Sequence, residues 1–529
     1  MTESQSSAET KSSQRTGVED DVSTLLSSAT LVFFGAFLSS GAKLLERILI
    51  GRFLSPGLYG EVSIALAILS LGTTFAMAGF SQGIPRYVSR VETVRERRGV
   101  WVSGLLVAGS LALVLTLGLT VLVEDVASQL FETSASSNLL QLFVYALPLV
   151  VGFKIAIAGI RGHENTIYKT YVGDLLYPGG RVVLLWLLLS LGYGIVAAGY
   201  AYLCAAGLSL VAAYYFMNKL VPLVGPVETR VREMSRFSAP LVVSTILSVL
   251  LTRTDTMMLG YFQPSAEVGV YSAAYPIATG MLIVLSSFGF MFLPLASRMD
   301  ADGNRENIDT IYALTTKWVF IVTFPAFLLF VAFSADTLSI FFGPEYERGA
   351  FALSILAVGF FTNAIAGRTQ ETISALGETT ILLIANVLVF ALNVGLNLVL
   401  IPKFSFVGAA AASAVANIAL NGGLFLILWL KLGVTPFSSW SRRTFVVVPL
   451  VLLPPAALLS QWITMTPVLV PVFLIVSGIG CLVAVAATGC LQPEDEIVLA
   501  QVENAIGRDL PWVREYVPDA SDDLAVEET

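Results

Sequence analysis

The strongest constraint on this chain is where its arginines and lysines fall between long apolar runs. Fourteen runs of mostly apolar residues lie near residues 28–50, 58–84, 100–123, 139–160, 170–190, 193–217, 238–262, 268–296, 312–333, 350–372, 379–401, 406–431, 443–461 and 466–488. Each approaches or exceeds the ~20 residues that carry a helix across a ~30 Å hydrocarbon core. With the N-terminus in the cytoplasm, the cytoplasmic connections hold most of the loop bases, including Arg86, Arg90, Arg95, Arg97 and Arg98 after the second run. The opposite connections hold three: Arg52, Arg348 and Lys403. Lysine and arginine are retained on the cytoplasmic side during insertion. Only an even number of spans with both ends inside keeps the basic loops together, so the sequence predicts a multi-pass plasma-membrane protein with cytoplasmic termini.

Composition agrees with that reading. At 56% hydrophobic and 13% charged residues, the chain is far from the ~25% charged content of soluble domains. The fold class is all-α polytopic membrane protein, because an outer-membrane barrel needs ~10-residue alternating segments and these runs are longer and do not alternate. Residues 1–24 are polar and Ser-rich without a basic stretch leading into a short apolar core, so no cleaved signal peptide is expected and the first span serves as the targeting signal. The formal charge of -8 is uneven. Residues 489–529 contribute -9 and residues 1–24 contribute -3, which leaves +4 for the membrane body. A basic body with acidic tails excludes a nucleic-acid partner and suits solvated tails. Eight lysines against twenty-two arginines, together with the acidic tails, point to a salt-adapted, high-GC source. Cys204, Cys481 and Cys490 have no metal-like spacing and read as small packing residues, and His163 is the only histidine. Neither a metal site nor a His-based catalytic pair is expected, and no cofactor.

An internal repeat organises the chain. A shift of 209 residues lays Gly51, Phe53, Gly60, Ser63, Ala65 and Pro85 onto Gly260, Phe262, Gly269, Ser272, Ala274 and Pro294. At a shift of 208, Phe153 and Ala156 to Gly159 meet Phe361 and Ala364 to Gly367. Six spans per copy means both copies enter from the same side, as parallel repeats about an axis along the membrane normal. The expected layout is a cytoplasmic tail (1–24), an N-lobe of six spans (25–220), a C-lobe of six spans (221–435), two extra spans (436–490) and an acidic tail (491–529). That last tail opens with a short amphipathic helix from Pro493 to Gly507 that presents Val498, Leu499, Val502 and Ile506 on one side.

Several segments carry a family likeness. They are Gly51-Arg-Phe-Leu-Ser-Pro-Gly-Leu-Tyr-Gly60, its second version from Asp255 to Pro264 and on through Val268 to Ser272, Phe342-Gly-Pro-Glu-Tyr346, and Val407-Gly-Ala-Ala-Ala-Ala-Ser413. Over about residues 25–490 the chain resembles the polysaccharide-exporter branch of the multidrug, oligosaccharidyl-lipid and polysaccharide flippase superfamily. The resemblance implies two six-helix lobes around a central cavity, alternating access, and a polyprenyl-linked saccharide as cargo. For a haloarchaeal source it implies a dolichol-phosphate glycan destined for surface-layer N-glycosylation. It also implies a non-enzyme, acting as a monomer beside membrane lipids and in functional partnership with glycosyltransferases or an oligosaccharyltransferase.

Charges inside apolar spans cost ~2.5–3.5 kcal/mol each on insertion scales, which makes every one a functional candidate. The bases are Lys43, Arg47, Lys154, Arg181, Arg253 and Lys317, and the acids are Glu46, Asp174 and Asp255. Arg181 lies twelve residues beyond Lys169, about 18 Å of helix rise and so near mid-membrane. Asp174, seven residues earlier on the same α-helical face, is its expected partner, and a structural ion pair is the plain alternative. Lys43, Arg47, Lys154, Arg181 and Arg253 are the expected cargo-binding set, since arginine forks grip phosphate oxygens in a low-dielectric cavity. At the 209 shift Glu46 meets Asp255, each beside an arginine, so these acids with Asp174 are the expected coupling or gating groups. Lys317 reads as an interface anchor near the inner end of span nine. Asn386, Asn393 and Asn397 form a stripe on span eleven that more commonly bonds helix to helix than sugar. The arginines at 86–98 read as topology signals that also attract anionic cargo.

Two other functions compete with the flippase reading. A cation-coupled exporter of organic cations calls for a carboxylate-rich cavity, whereas six bases here face three acids. A glycan polymerase or glycosyltransferase calls for a large soluble loop with an acidic sugar site, and the longest outer loop is about fifteen residues.

Overall fold

The computed structural model describes residues 34–496 apart from 134, 284, 287–291, 293–295, 298 and 300–304. No strand occurs among the described residues. The described chain divides by its internal contacts into two compact units, one of residues 34–54 with Glu61–Arg253, the other of Ser55–Gly60 with the described residues from Thr254 onward.

The first unit begins with α1 (34–53) and continues through α2 (Pro56–Met77), α3 (Phe80–Val88), α4 (Val94–Leu130) and α5 (Ala135–Gly162). Ala78 (φ 43°) and Gly79 (φ 74°) turn the chain between α2 and α3 in left-handed conformations, and a Cβ at Gly79 would sit 2.7 Å from the Ser238 carbonyl oxygen. Thr93 starts α4 through a reciprocal cap with Glu96, which satisfies two otherwise orphaned backbone donors. Next comes α6 (Thr166–Lys169), which runs through a π-helical stretch at Thr170–Leu176 into α7 (Tyr177–Ser190). Gly192 (φ 83°) and Gly194 (φ 59°) then reverse the chain into α8 (Val196–Leu220). The core of this unit is a seam between α5, the π stretch and α8, built from Val150, Phe153, Ala156, Val172, Ala206 and Ala213. Alanine at three of these six positions allows close approach, and helices in lipid gain their association energy from such van der Waals packing.

Helix α9 (Val231–Phe262) follows an extended linker. Arg98, grouped with the topology arginines from sequence, is buried here. Its Nε donates to the Pro222 carbonyl at 2.6 Å and its Nη1 to the Pro226 carbonyl at 2.8 Å, so it straps the linker to α4. Its neighbours in the basic run give no hint of this, because the carbonyls it satisfies lie more than a hundred residues away.

The second unit contains α10 (Ser265–Gly280), α11 (Arg305–Ala332), α12 (Ser334–Phe341), α13 (Ala350–Ala366), α14 (Thr369–Ala375), α15 (Thr379–Ile427), α16 (Ser439–Leu459) and α17 (Leu469–Ala487). Among the described residues ten helices are long and apolar enough to cross a membrane. The difference from the fourteen apolar runs has local causes. Runs eleven and twelve adjoin without a gap in α15, and the helical geometry breaks at Ser405 (φ 52°, ψ -134°), between the two runs as the sequence expects. Run one lies in 34–53 at the edge of the described residues, run seven lies in the charge-bearing α9, and run eight is represented by α10, whose 16 residues end at Gly280. Most of the expected C-terminal amphipathic helix lies outside the described residues.

The 209-residue repeat acquires a physical counterpart in the second unit. A Cβ on Gly60 would lie 1.8 Å from the carbonyl oxygen of Ser265, and one on Gly269 would lie 1.8 Å from that of Pro56. Pro56 and Ser265 are themselves matched at that shift, so the contact is reciprocal within the repeat. No side chain larger than hydrogen fits at either glycine without moving backbone. Gly60→Ala and Gly269→Ala are each expected to destabilise the protein by about 1–3 kcal/mol or more, whereas Gly57→Ala, where nothing lies within 4 Å, is expected to be neutral. Thermal unfolding of the three variants in detergent checks the order.

Candidate functional site

Helix periodicity sets up one wall of a cavity in the first unit. Lys43, Glu46 and Arg47 sit at positions i, i+3 and i+4 of α1, hence on one face. That face borders a cavity of about 470 Å³ in the first unit, together with Lys154 of α5, Lys169, Asp174, Tyr177 and Arg181 of the α6–α7 segment, Tyr202 of α8 and Arg253 of α9. Seven of the eight residues expected to bind cargo or to gate therefore line one cavity: Lys43, Glu46, Arg47, Lys154, Asp174, Arg181 and Arg253. Its wall carries six bases and two acids.

The ion pairing differs from the sequence expectation. Arg181 bonds to Glu46, Nη2 to Oε2 at 3.0 Å, both nearly buried. Asp174 bonds instead to Lys169, 2.6 Å from Nζ to Oδ2. The π stretch at Thr170–Leu176 explains the change. Its wider turn closes i to i+5 hydrogen bonds, which brings Lys169 and Asp174 together and takes Asp174 off the face that regular α geometry assigns it. A π turn leaves no signature in the residue pattern, so Lys169 was read only as a helix-end residue.

Two tyrosines complete the Arg181 environment. The guanidinium carbon sits 4.7 Å from the Tyr177 ring centroid and 4.4 Å from that of Tyr202. The Tyr202 hydroxyl donates to Glu46 Oε1. Arg181 thus lies against two aromatic rings and is paired at one edge with a carboxylate, while its Nε is buried without a hydrogen-bond partner among the described residues. By contrast, Lys43 and Lys154 have no ion-pair partner among the described residues.

Asp255 lies apart, in the second unit. Tyr271 donates its hydroxyl to Oδ2 at 2.8 Å, Asn397 donates Nδ2 to Oδ1 at 2.6 Å, and Ser413 adds a hydroxyl to Oδ2. Asn397 also donates to Asn393 Oδ1 at 3.0 Å, and its own Oδ1 is buried without a partner. All of these partners are neutral. Two residues of the asparagine stripe join this network, whereas Asn386 bonds back to the Leu382 carbonyl at 2.8 Å.

Lys317 is not an interface anchor. It is fully buried and bonded to Asp495, which also accepts from Trp318 Nε1 at 2.8 Å and from the Gln492 backbone at 2.8 Å. This pair fastens the segment after α17 to α11, and its partner lies 178 residues away, beyond the reach of helical spacing rules. His163 sits in its short loop with Nδ1 2.9 Å from the Gly159 carbonyl, and burial holds its pKa below the usual histidine value. No group of three or more His, Cys, Asp or Glu able to hold a metal occurs among the described residues.

A family model described as polysaccharide biosynthesis protein matches residues 25–299, and one described as MatE matches residues 240–399. The chain is 24% identical over 223 residues to the "Probable low-salt glycan biosynthesis flippase Agl15" of Haloferax volcanii, covering 42% of this chain and 47% of that protein. It is 24% identical over 319 residues to the "Succinoglycan biosynthesis transport protein ExoT" of Rhizobium meliloti, covering 60% of this chain and 62% of that one. The matched regions thus span about half to three fifths of these relatives' own length. Among solved structures, "Lipid II flippase MurJ, inward closed conformation" aligns with a TM-score of 0.68 at 14% identity, covering 86% of this chain and 98% of that one. That likeness establishes the fold.

The observed pairing predicts an order of stabilities. Glu46→Gln leaves a buried guanidinium without its counter-charge and is expected to cost about 3–5 kcal/mol, most of it recovered in Glu46→Gln/Arg181→Gln. Asp174→Asn breaks a more exposed pair and is expected to cost about 1 kcal/mol or less. Thermal unfolding of the purified variants gives the order, and the reverse order returns the pairing to Asp174 and Arg181.

Proposed function

This chain belongs to the polysaccharide biosynthesis protein family, and from that premise we propose that it is a flippase carrying a polyprenyl- or dolichol-phosphate-linked oligosaccharide from the cytoplasmic to the outer leaflet. The observation that carries the proposal is the excess of cations around the first-unit cavity, six bases against two acids. A saccharide and its phosphate cannot cross hydrocarbon unsolvated, whereas the polyprenyl tail can stay in lipid. A cationic, hydrogen-bonding cavity meets the first need, and helices at the lipid boundary meet the second. An organic-cation exporter would be served by the opposite charge balance.

In this reading Glu46 neutralises Arg181, and the phosphate is met by Lys43 and Lys154, with Arg47 and Arg253 lining the same cavity. Asp255, buried and held by Tyr271, Asn397 and Ser413 with no cation among these partners, is the coupling group in this reading. Fourteen spans in two six-helix lobes plus two, cytoplasmic termini, monomeric action and work alongside glycosyltransferases or an oligosaccharyltransferase belong to the same proposal. The likeness to a Haloferax glycan flippase supports a dolichol-linked glycan for the cell-surface layer as the cargo.

Deleting the gene is expected to accumulate a lipid-linked oligosaccharide on the cytoplasmic leaflet and to deplete the matching surface glycan, read by mass spectrometry of extracted lipids and by surface lectin binding. An unchanged surface glycan with heightened sensitivity to organic cations would replace the flippase with the exporter.

A further inference from the structure

A second basic site lies elsewhere in the first unit, where the end of α3 meets the first turns of α9. A surface hollow of about 520 Å³ is lined by Tyr87, Arg232, Glu233, Arg236 and Phe237. The Arg86 guanidinium carbon lies 4.3 Å from the Phe237 ring centroid, and the Tyr87 ring meets Phe237 edge-on at 5.8 Å and 78°. Arg232 and Arg236 are four residues apart on α9, on one face, and both are exposed. Neither forms an ion pair among the described residues. The single acid of the hollow, Glu233, is engaged by Arg230 at 3.7 Å. The first turn of α9 adds the positive end of a helix dipole.

We propose that this hollow binds the phosphate headgroup of an anionic phospholipid of the cytoplasmic leaflet. Retaining loops on the cytoplasmic side requires only positive charge. It does not require arginines lining a hollow together with Tyr87 and Phe237. Tyrosine at the level of the headgroups, with arginine able to fork onto phosphate oxygens, is the chemistry of a lipid headgroup site. The site is separate from the cavity: Arg236 and the cavity's Arg253 are seventeen residues apart on α9, about 25 Å of helix rise. The proposal therefore stands whether or not the cavity carries a glycan.

The test uses the full chain purified in neutral detergent, with thermal unfolding followed while phosphatidylglycerol, phosphatidylcholine or inorganic phosphate is added. Phosphatidylglycerol is expected to stabilise the wild type, with phosphatidylcholine and millimolar phosphate having little effect. Arg232→Gln/Arg236→Gln should weaken the phosphatidylglycerol response about fivefold per arginine, while Arg442→Gln/Arg443→Gln, which removes the same charge outside the hollow, should leave it intact. Arg232→Lys/Arg236→Lys keeps the charge without the fork, provides a folded comparison, and should fall between the two. Equal weakening by both glutamine pairs would overturn the proposal in favour of diffuse surface charge. Displacement by inorganic phosphate would overturn it in favour of a soluble ligand.

Discussion

The ion pair between Arg181 and Glu46 is the constraint on which the first unit depends. Burying a guanidinium in a membrane protein is tolerable only if a counter-charge and hydrogen-bonding partners are ready at fixed positions. Here the counter-charge comes from α1, the two aromatic faces from α7 and α8, and the carboxylate's second oxygen is held by Tyr202. Three helices are thereby tied at one point beside the cavity. The small residues along the α5–α8 seam set how closely those helices approach.

Pairing Arg181 with Glu46 separates structural from functional charge in the proposed flippase. Glu46 pairs with Arg181 and Asp174 with Lys169, so neither acid lining the cavity forms an ion pair with Lys43 or Lys154. The proposal places the cargo phosphate against this excess of bases, where low-dielectric surroundings would strengthen the attraction. The second unit uses its buried acids differently: Asp255 is surrounded by hydroxyls and amides, while Asp495 locks Lys317 and the segment after the last helix.

Much of this was legible in the sequence because hydrophobic runs and charges inside them are costly to misplace. The all-helical membrane fold follows from run length and composition, and Lys43, Glu46 and Arg47 follow from spacing on α1. Sequence reasoning lost accuracy where local geometry departs from the ideal helix. The π stretch moved Asp174 from Arg181 to Lys169. It also lost accuracy wherever a partner is remote in sequence, as for Lys317 with Asp495, Arg98 with the linker carbonyls and Tyr202 with Glu46. Charge inside a span announces that a partner is needed and leaves its identity to the tertiary fold.

The central claim is that Lys43 and Lys154 supply the charge that recognises a lipid-linked phosphate. Equilibrium binding of a short polyprenyl phosphate, compared with the uncharged polyprenol, to the purified protein tests it most directly. The account predicts that Lys43→Gln/Lys154→Gln weakens binding of the phosphate about tenfold or more and leaves the polyprenol unaffected. Equal affinity of wild type and variant for the phosphate, or a wild type that binds phosphate and alcohol alike, would contradict it.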